Sequence, residues 1–477
     1  MASAQGALAH GQPSIVCWQD TVHIRGSMLI YHGFPEQPLE QPVYLTIGNF
    51  DGVHRGHQHL IARLVAAAHN QGCLAGLLTF DPHPLAVLQP DIPLQHLTTL
   101  AERSEILETL GLDFLLILPF TGEVAATSAA DFMASLVARL RLVSLWIGPD
   151  FALGRGREGD ADYLQRLGAD LGYTLQVVPP FNWQGEPVRS SRIRTLLGGE
   201  GAVARASELL GRPYQVWGRV DTGVGRGRQL GFPTANLTLP AGRLMPAFGV
   251  YACWAWHEER GYPAVVNVGV RPSFEPGPPI VEAYLLDFEG DLYGETVGLS
   301  FIQRLRAEKR FPNPAMLADQ IRADSQAARQ ILANPPDHAA AMGERFWEEI
   351  RHTADCAMRV TGADQRQLFA RAAAGMFRLQ DANPCRPISI ARSVRALADN
   401  PAELLVAWLN ALLLAQDVAG ELYTRFEIYE ISARGIRGVA YGYPGSPTHT
   451  MIKAATYYDL NVEETPAGWS ATVTFDI

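Results

Sequence analysis

Apolar and polar positions along the chain follow one period up to about residue 198, another through the middle third, and a mixture after that. In the first stretch, short runs rich in β-branched and aliphatic residues (43–47, 74–81, 113–120, 143–147 and 174–179) alternate with helical patterns at 57–70, 99–111, 129–141 and 158–172. Strands that are apolar almost throughout, separated by amphipathic helices, predict a parallel sheet covered on both faces. Residues 1–27 carry Ala, Gly, Gln and Ser without periodicity and are expected to be poorly ordered. Met28, just before the strand-like Leu29-Ile30-Tyr31, is a candidate start of the natural chain.

From about 212 to 305 the runs shorten and Gly/Pro turns separate them: Tyr214–Val220, Gly249–Trp256, Pro263–Val268, Pro279–Phe288 and Thr296–Phe301. That texture predicts a small antiparallel barrel, closed by a helix at about 314–332. Asn334-Pro335-Pro336-Asp337 reads as a linker that would suit independent domains. Beyond it, helices at 364–379 and 401–415 among strands at 386–393, 421–432, 451–460 and 470–475 predict an α+β unit. The layout is an extension at 1–27, domains at 28–198 and 199–333, a linker at 334–342 and a third domain at 343–477.

Length agrees, since 477 residues hold about three domains at roughly 150 residues each. An apolar fraction of 47% against 18% charged supports real cores. A net charge of −10 argues against direct nucleic-acid binding through bulk electrostatics. Five scattered cysteines with no C-x-x-C pair suit free thiols in a reducing compartment. With neither an 18-residue apolar run nor a lysine-headed signal peptide, the expectation is a soluble cytoplasmic protein away from membranes.

The chemistry concentrates after the first strand, in Tyr44–Leu60, YLTIGNFDGVHRGHQHL. Strand, glycine turn and helix start make an anion site, because free N–H groups and the helix dipole both favour negative charge. Gly48, Asn49, Asp51 and Gly56 are candidate nucleotide contacts there, and Asp150 follows the fourth strand. His54 and His57, three residues apart, could both donate N–H to phosphate oxygens and stabilise charge building on an α-phosphate during in-line attack. Zinc at His54, His57 and His59 is the competing reading, but it lacks a further ligand at sensible spacing.

GNFDGVHRGHQHLI, TFDPHP (Thr79–Pro84) and VRSSRIRTLL (Val188–Leu197) resemble the adenylyltransferase half of bacterial bifunctional riboflavin kinase/FAD synthetase, of the H-x-G-H nucleotidyltransferase superfamily. The resemblance implies a Rossmann-like α/β domain in which His54 and His57 contact ATP phosphates and Ser190, Ser191, Arg192 and Arg194 form a second phosphate clamp. Hydroxyls and guanidinium groups at a helix start suit that role, although Ser190 and Ser191 alone would read as a helix cap. Two departures stand out. Arg189 and Ser191 occupy positions where the family has Ser and Thr, and Ala152 and Leu153 stand where Arg and Phe are common.

In the second domain, TGVGRGRQLGFPTAN (Thr222–Asn236), NVGVRPSFE, VEAYLLDFEGDLYG and the spaced Arg306, Glu308 and Phe311 resemble the riboflavin kinase half. By that resemblance Gly223, Gly225, Arg226, Gly227 and Arg228 wrap the nucleotide, Thr234 and Asn236 hold the Mg²⁺ of MgATP, and Glu282 is the general base. The alternation Val281, Ala283, Leu285 puts Glu282 on the opposite face from those apolar side chains. Substrates and products would be ATP, riboflavin, FMN and FAD.

EIRHTAD (Glu349–Asp355), LLVAWLNALL, MIKAATYYDLNVEE and the terminal GWSATVTFDI resemble archease, which assists the tRNA-splicing type of RNA ligase. The resemblance implies a divalent cation, Ca²⁺, held by Asp355, Asp476 and the carboxylate of Ile477, with His449 and Lys453 as candidates for the ligase contact. Alternatives are another phosphorylated small molecule as substrate, a kinase that no longer makes FAD, and a third domain that is only a structural or partner-binding module.

Overall fold

The computed structural model describes residues 22–25, 28–222, 231–270, 280–339, 346–351, 356–448 and 450–477. The first domain is a seven-stranded sheet in the order Val22–Arg25, Met28–His32, Phe114–Leu118, Leu74–Phe80, Val43–Ile47, Leu142–Ile147, Thr174–Val177. All neighbours are parallel except the first pair, an antiparallel hairpin. That hairpin corrects the expectation for 22–25, which are too short a run to show periodicity but complete the sheet edge. Ile61, Leu64 and Ala68 of the helix Arg55–Asn70 pack on one face with Leu77, Leu115 and Ile117. Met133, Leu136, Leu140 and Leu164 cover the other face. The strands are apolar throughout because both of their faces are buried.

The second domain is a closed six-stranded antiparallel barrel, in the order Gly249–His257, Thr296–Arg306, Tyr214–Asp221, Ala235–Thr238, Ile280–Leu285, Arg260–Gly269, with the last pairing back to the first. Ala235–Thr238 is a strand that the sequence pattern does not reveal, since four residues are too few to display alternation. The helix Pro314–Leu332 follows, its first turn capped by Asn313 Oδ1 on the Met316 N–H at 2.9 Å.

The third domain packs helices Gln365–Leu379 and Pro401–Ala419 against two sheets around one core. Its strands Trp347–Arg351, Cys356–Gly362 and Gly435–Pro444 escape sequence reading. The first is mostly charged, and the last carries three glycines, of which Gly442 has no room for a Cβ beside the Leu422 carbonyl. Pro401–Ala419 is long and apolar enough to cross a membrane. Its Leu404, Leu405, Trp408, Leu409 and Leu412 instead fill the core, as in a buried helix of a folded domain.

The second and third domains share backbone pairing, which two independent domains would not. Arg260 and Gly261 of the barrel pair with Arg392 and Ala391 of the strand Ile390–Leu397, so one nine-stranded sheet runs through both. Trp254 and Tyr441 meet across the junction with ring centroids 5.6 Å apart, inside a common apolar cluster with Trp256, Ala328, Ala391 and Val439. Glu421, buried, accepts from Arg392 Nη2 at 2.9 Å and from the Tyr423 hydroxyl at 2.7 Å, and faces Arg260 Nε at 3.5 Å. The supposed linker is pinned as well: Asp337 accepts from the Phe426 N–H, His338 Nδ1 from the Ile428 N–H at 2.8 Å, and Ala339 lies in the third core. Removing a partner of a buried ion pair strands the other charge. Glu421→Ala should therefore destabilise the protein by about 3–5 kcal/mol, and chemical denaturation followed by tryptophan fluorescence should show barrel and third domain losing stability together.

Candidate active site

The turn after strand Val43–Ile47 adopts a conformation that its residues resist. Phe50, Gly52 and Val53 all have positive φ, at 47°, 83° and 37°. A β-branched residue there is strained unless its surroundings hold it. Asp51 supplies much of the restraint. Its carboxylate is 3% exposed and accepts from the Leu97 and Thr98 N–H groups at 3.0 Å, the Thr98 hydroxyl at 3.2 Å and Arg194 Nη2 at 2.5 Å. Burial pushes its pKa up, but the Leu97 N–H, the Arg194 and Arg103 charges and the Thr98 N–H outweigh that and hold it below the usual carboxylate range. On the backbone, the Gly52 N–H donates to Thr98 Oγ1 at 2.9 Å, and the Ser190 hydroxyl donates to the Asp51 carbonyl at 3.0 Å.

The turn delivers His54 and His57 to the start of the helix Arg55–Asn70. Their rings stack with centroids 3.6 Å apart and 15° between planes. His54 caps the helix through Nδ1, which accepts from the His57 N–H at 3.3 Å. A neutral imidazole whose Nδ1 accepts carries its proton on Nε2, so Nε2–H is the donor left for a ligand. Burial lowers the His54 pKa to about 4, with Arg212 and Arg194 adding to the effect, and burial beside His54 drives His57 well below 6.5. Both are neutral at physiological pH, since two stacked imidazolium ions in a buried site would repel.

A cavity of about 340 Å³ opens over this pair. Gly48, Asn49, His54, Gly56, His57, Asp150 and Ser190 line it, at the C-terminal ends of the strands, where open α/β sheets bind their ligands. The Cβ missing from Gly56 would sit 3.2 Å from the His54 ring, so glycine is what lets helix and imidazole pack. Other expected residues stand behind the wall. Asp51 and Arg194 engage each other, and Arg194 Nε also donates to the Gln95 carbonyl at 3.0 Å. Arg192 bridges Glu186 at 2.7 Å and Glu200 at 2.6 Å. Ser191 lies outside the cavity lining and offers its carbonyl to Thr195 Oγ1. Arg189 crosses the mouth to Asp150, Nη2 to Oδ2 3.1 Å, with side chains 60% and 75% exposed. A pair that exposed holds weakly and can part for a ligand. Leu153 packs into the sheet core.

Sequence reasoning missed Arg103, Thr98 and Arg212, which hold the turn without touching the cavity; isolated polar residues give no periodic signal. It also missed a second cavity of about 170 Å³ between His83, His96, Arg103 and the barrel residues Pro240, Ala241 and Arg243. In the barrel, Glu282 stands in register with Asn236 on one side and Asn267 on the other, while Val281 and Ala283 are buried inward, as the alternation foretold. Gly223, Gly225, Arg226, Gly227 and Arg228 lie outside the described residues, as do Asp355 and His449. Asp476 and Ile477 are exposed, and Lys453 Nζ donates to the Ile477 oxygen at 2.9 Å. Among the described residues no cluster of His, Cys, Asp and Glu could hold a metal ion.

Comparisons with known proteins divide the chain in the same order. The family model for FAD synthetase matches residues 36–192, that for riboflavin kinase 210–332, and that for the archease protein family 347–477. A bifunctional riboflavin kinase/FMN adenylyltransferase of Pseudomonas fluorescens is 38% identical over 304 residues, 63% of this chain and 96% of that protein. Its counterpart in Bacillus subtilis is 34% identical over 61% of this chain and 92% of its own length. A crystal structure described as a macrolide-efflux protein from Streptococcus pneumoniae aligns with a TM-score of 0.57 and 31% identity, over 62% of this chain and 96% of that one.

Burial of neutral histidines sets a pH dependence. The folded pKa values of His54 and His83 are about 4, against about 6.5 unfolded. Between those values the unfolded chain binds protons that the folded one refuses, so the stability these groups contribute is full above about pH 6.5 and is lost as pH falls toward 4. Urea midpoints should drop from about pH 7 to about pH 5, and His54→Gln should flatten that slope.

Proposed function

The chain belongs to the bifunctional riboflavin kinase/FMN adenylyltransferase family, and we propose how its residues divide the two reactions. It phosphorylates riboflavin to FMN with ATP and adenylylates FMN to FAD, releasing pyrophosphate. In the first domain the adenylyl step falls to His54 and His57, and the stacked pair at the wall of the 340 Å³ cavity is the observation that carries this reading. An FMN phosphate oxygen attacks the α-phosphorus of ATP in line, the bond to the β-phosphate oxygen breaks, and pyrophosphate leaves. No general base is needed, because the attacking phosphate is already anionic. What the site must do is hold the reactants and stabilise charge on the α-phosphate oxygens. Neutral His54 can do so through Nε2–H, with His57 and the N–H groups at the helix start beside it. Gly48, Asn49, Gly56, Asp150 and Ser190 line the nucleotide's path, and Asp51, Arg192, Arg194 and Ser191 act from behind it. Arg189 would have to release Asp150 as ATP enters.

In the barrel, Glu282 takes the proton of the ribityl 5′-hydroxyl as that oxygen attacks the γ-phosphorus and ADP leaves. Its support is the row Asn236–Glu282–Asn267 across three strands, which gathers oxygen donors on the outer face. Thr234 and Asn236 would hold the Mg²⁺ of MgATP through oxygen ligands. Free thiols at Cys73, Cys253, Cys356 and Cys385 support a cytoplasmic setting.

For the third domain the archease match supports assistance to a tRNA-splicing RNA ligase acting in trans. The divalent-cation reading of Asp355, Asp476 and Ile477 has weaker support: Lys453 already neutralises the terminal oxygen, and the described donors are solvent-exposed. The shared sheet and the ion pairs Arg212–Glu430 and Arg260–Glu421 favour a second reading, in which this unit is a structural part of the flavin enzyme.

Incubation of the purified protein with riboflavin and MgATP should yield FMN and then FAD by chromatography. His57→Ala should cut FAD formation by about 100-fold or more and spare FMN. Glu282→Gln should cut FMN formation by about 100-fold or more and spare FAD synthesis from supplied FMN. Guanylylation of a cognate RNA ligase should accelerate when the full chain is added; an unchanged rate would leave only the structural reading.

A further inference from the structure

Arg212 sits where the three domains meet. Its side chain is only 10% exposed, and it lines no part of the 340 Å³ cavity. From there Nη2 donates to the Gly52 carbonyl at 2.7 Å and Nη1 to the Val53 carbonyl at 3.3 Å. Those two residues are the left-handed pair that leads directly into His54. Gln58 adds a second donor to the Val53 carbonyl at 2.9 Å and ties it to Leu210. Asp51 therefore holds the turn from one side and Arg212 from the other.

A guanidinium buried this deeply needs a counter-charge, because removing an ion from water without one is strongly unfavourable. The counter-charge comes from the third domain. Glu430, on strand Glu421–Ile431, is fully buried and faces Arg212 Nη1 at 3.6 Å. Other ion pairs dock the same domain on the first: Arg434 Nη1 to Asp113 Oδ1 at 2.7 Å and Arg395 Nη2 to Glu108 Oε2 at 2.5 Å. Those two lie beside the helix Leu100–Glu108 and the strand Phe114–Leu118. Of these three pairs, it is Arg212–Glu430 that continues through hydrogen bonds into the turn carrying the histidine pair.

We propose that the C-terminal domain acts in cis on the adenylyltransferase, with Glu430 fixing Arg212 and Arg212 fixing the Gly52–Val53 carbonyls, so that both are positioning residues for FMN adenylylation. The proposal rests on the adenylyltransferase reading of the first domain. It separates the two activities of the chain, since Glu430 lies on the strand Glu421–Ile431, which pairs with Gly435–Pro444 in the third domain, whereas Glu282 lies on the barrel strand Ile280–Leu285.

The test uses the full chain and both assays on one preparation. Glu430→Gln keeps the shape and removes the charge. It should lower kcat for FAD synthesis from FMN about tenfold, since small misplacements of reacting groups carry penalties of this size or larger. Riboflavin phosphorylation should stay at the wild-type rate. Glu430→Asp, which keeps the charge, should recover most of the loss. Arg212→Lys should lower FAD synthesis similarly, and the double variant with Glu430→Gln should fall no further than either single one, because the two act in series. A folded Glu430→Gln protein with unchanged FAD synthesis would overturn the proposal. So would an equal loss of both activities, which marks general destabilisation, or multiplicative losses in the double variant. A wild-type protein that makes FMN but no FAD would instead remove the adenylyltransferase reading on which the proposal stands.

Discussion

A single buried carboxylate organises the first domain. Asp51 lies in the middle of a turn that no local preference would select, and it draws donors from two other parts of the chain: the segment at Leu97–Thr98 and the helix at Ser190–Arg194. Three pieces of structure thus converge on one charge, and the cavity beside it inherits their rigidity. An ionised group out of water is stable only when its lone pairs are filled, which makes the arrangement nearly all-or-none. The histidine pair sits at the end of that chain of restraint, and its stacked, neutral state is the electrostatic counterpart of Asp51's fixed negative charge.

Much of this was legible beforehand. The alternation of apolar strands and amphipathic helices gave the parallel sheet, because burial on both faces leaves a direct imprint on composition. The residues singled out around the H-x-G-H spacing, Gly48, Asn49, Gly56, Asp150 and Ser190, come together with His54 and His57 on the wall of one cavity. The roles of Asp51, Arg192 and Arg194 were harder to read. A charged side chain near a phosphate site looks the same in sequence whether it faces the ligand or braces the loop, and only partners far along the chain, such as Leu97 or Glu186, separate the two. The strands at Trp347–Arg351 and Gly435–Pro444 were hidden for a similar reason: one is charged and the other glycine-rich, and pairing rather than propensity defines them.

The junction between the barrel and the third domain could not have been inferred from pattern. Pro335 and Pro336 look like a hinge, yet the residues that follow them are hydrogen-bonded to Phe426 and Ile428. Trp254 and Tyr441 close an apolar cluster that belongs to both domains, and Glu421, paired with Arg392 of its own domain, faces Arg260 of the barrel across it. Removing one partner of such a buried charge strands the other, so Glu421 ties the third domain to the face of the barrel that carries Arg260.

The strand pairing that joins those domains is only two residues long, Arg260 with Arg392 and Gly261 with Ala391. Between separate molecules so short a ladder would be a poor anchor, since association must first overcome the loss of translational and rotational freedom. Within one polypeptide the partner is always present at an effective concentration on the order of millimolar. Covalent fusion therefore fixes the stoichiometry at one to one and makes the docked arrangement independent of how much protein the cell contains.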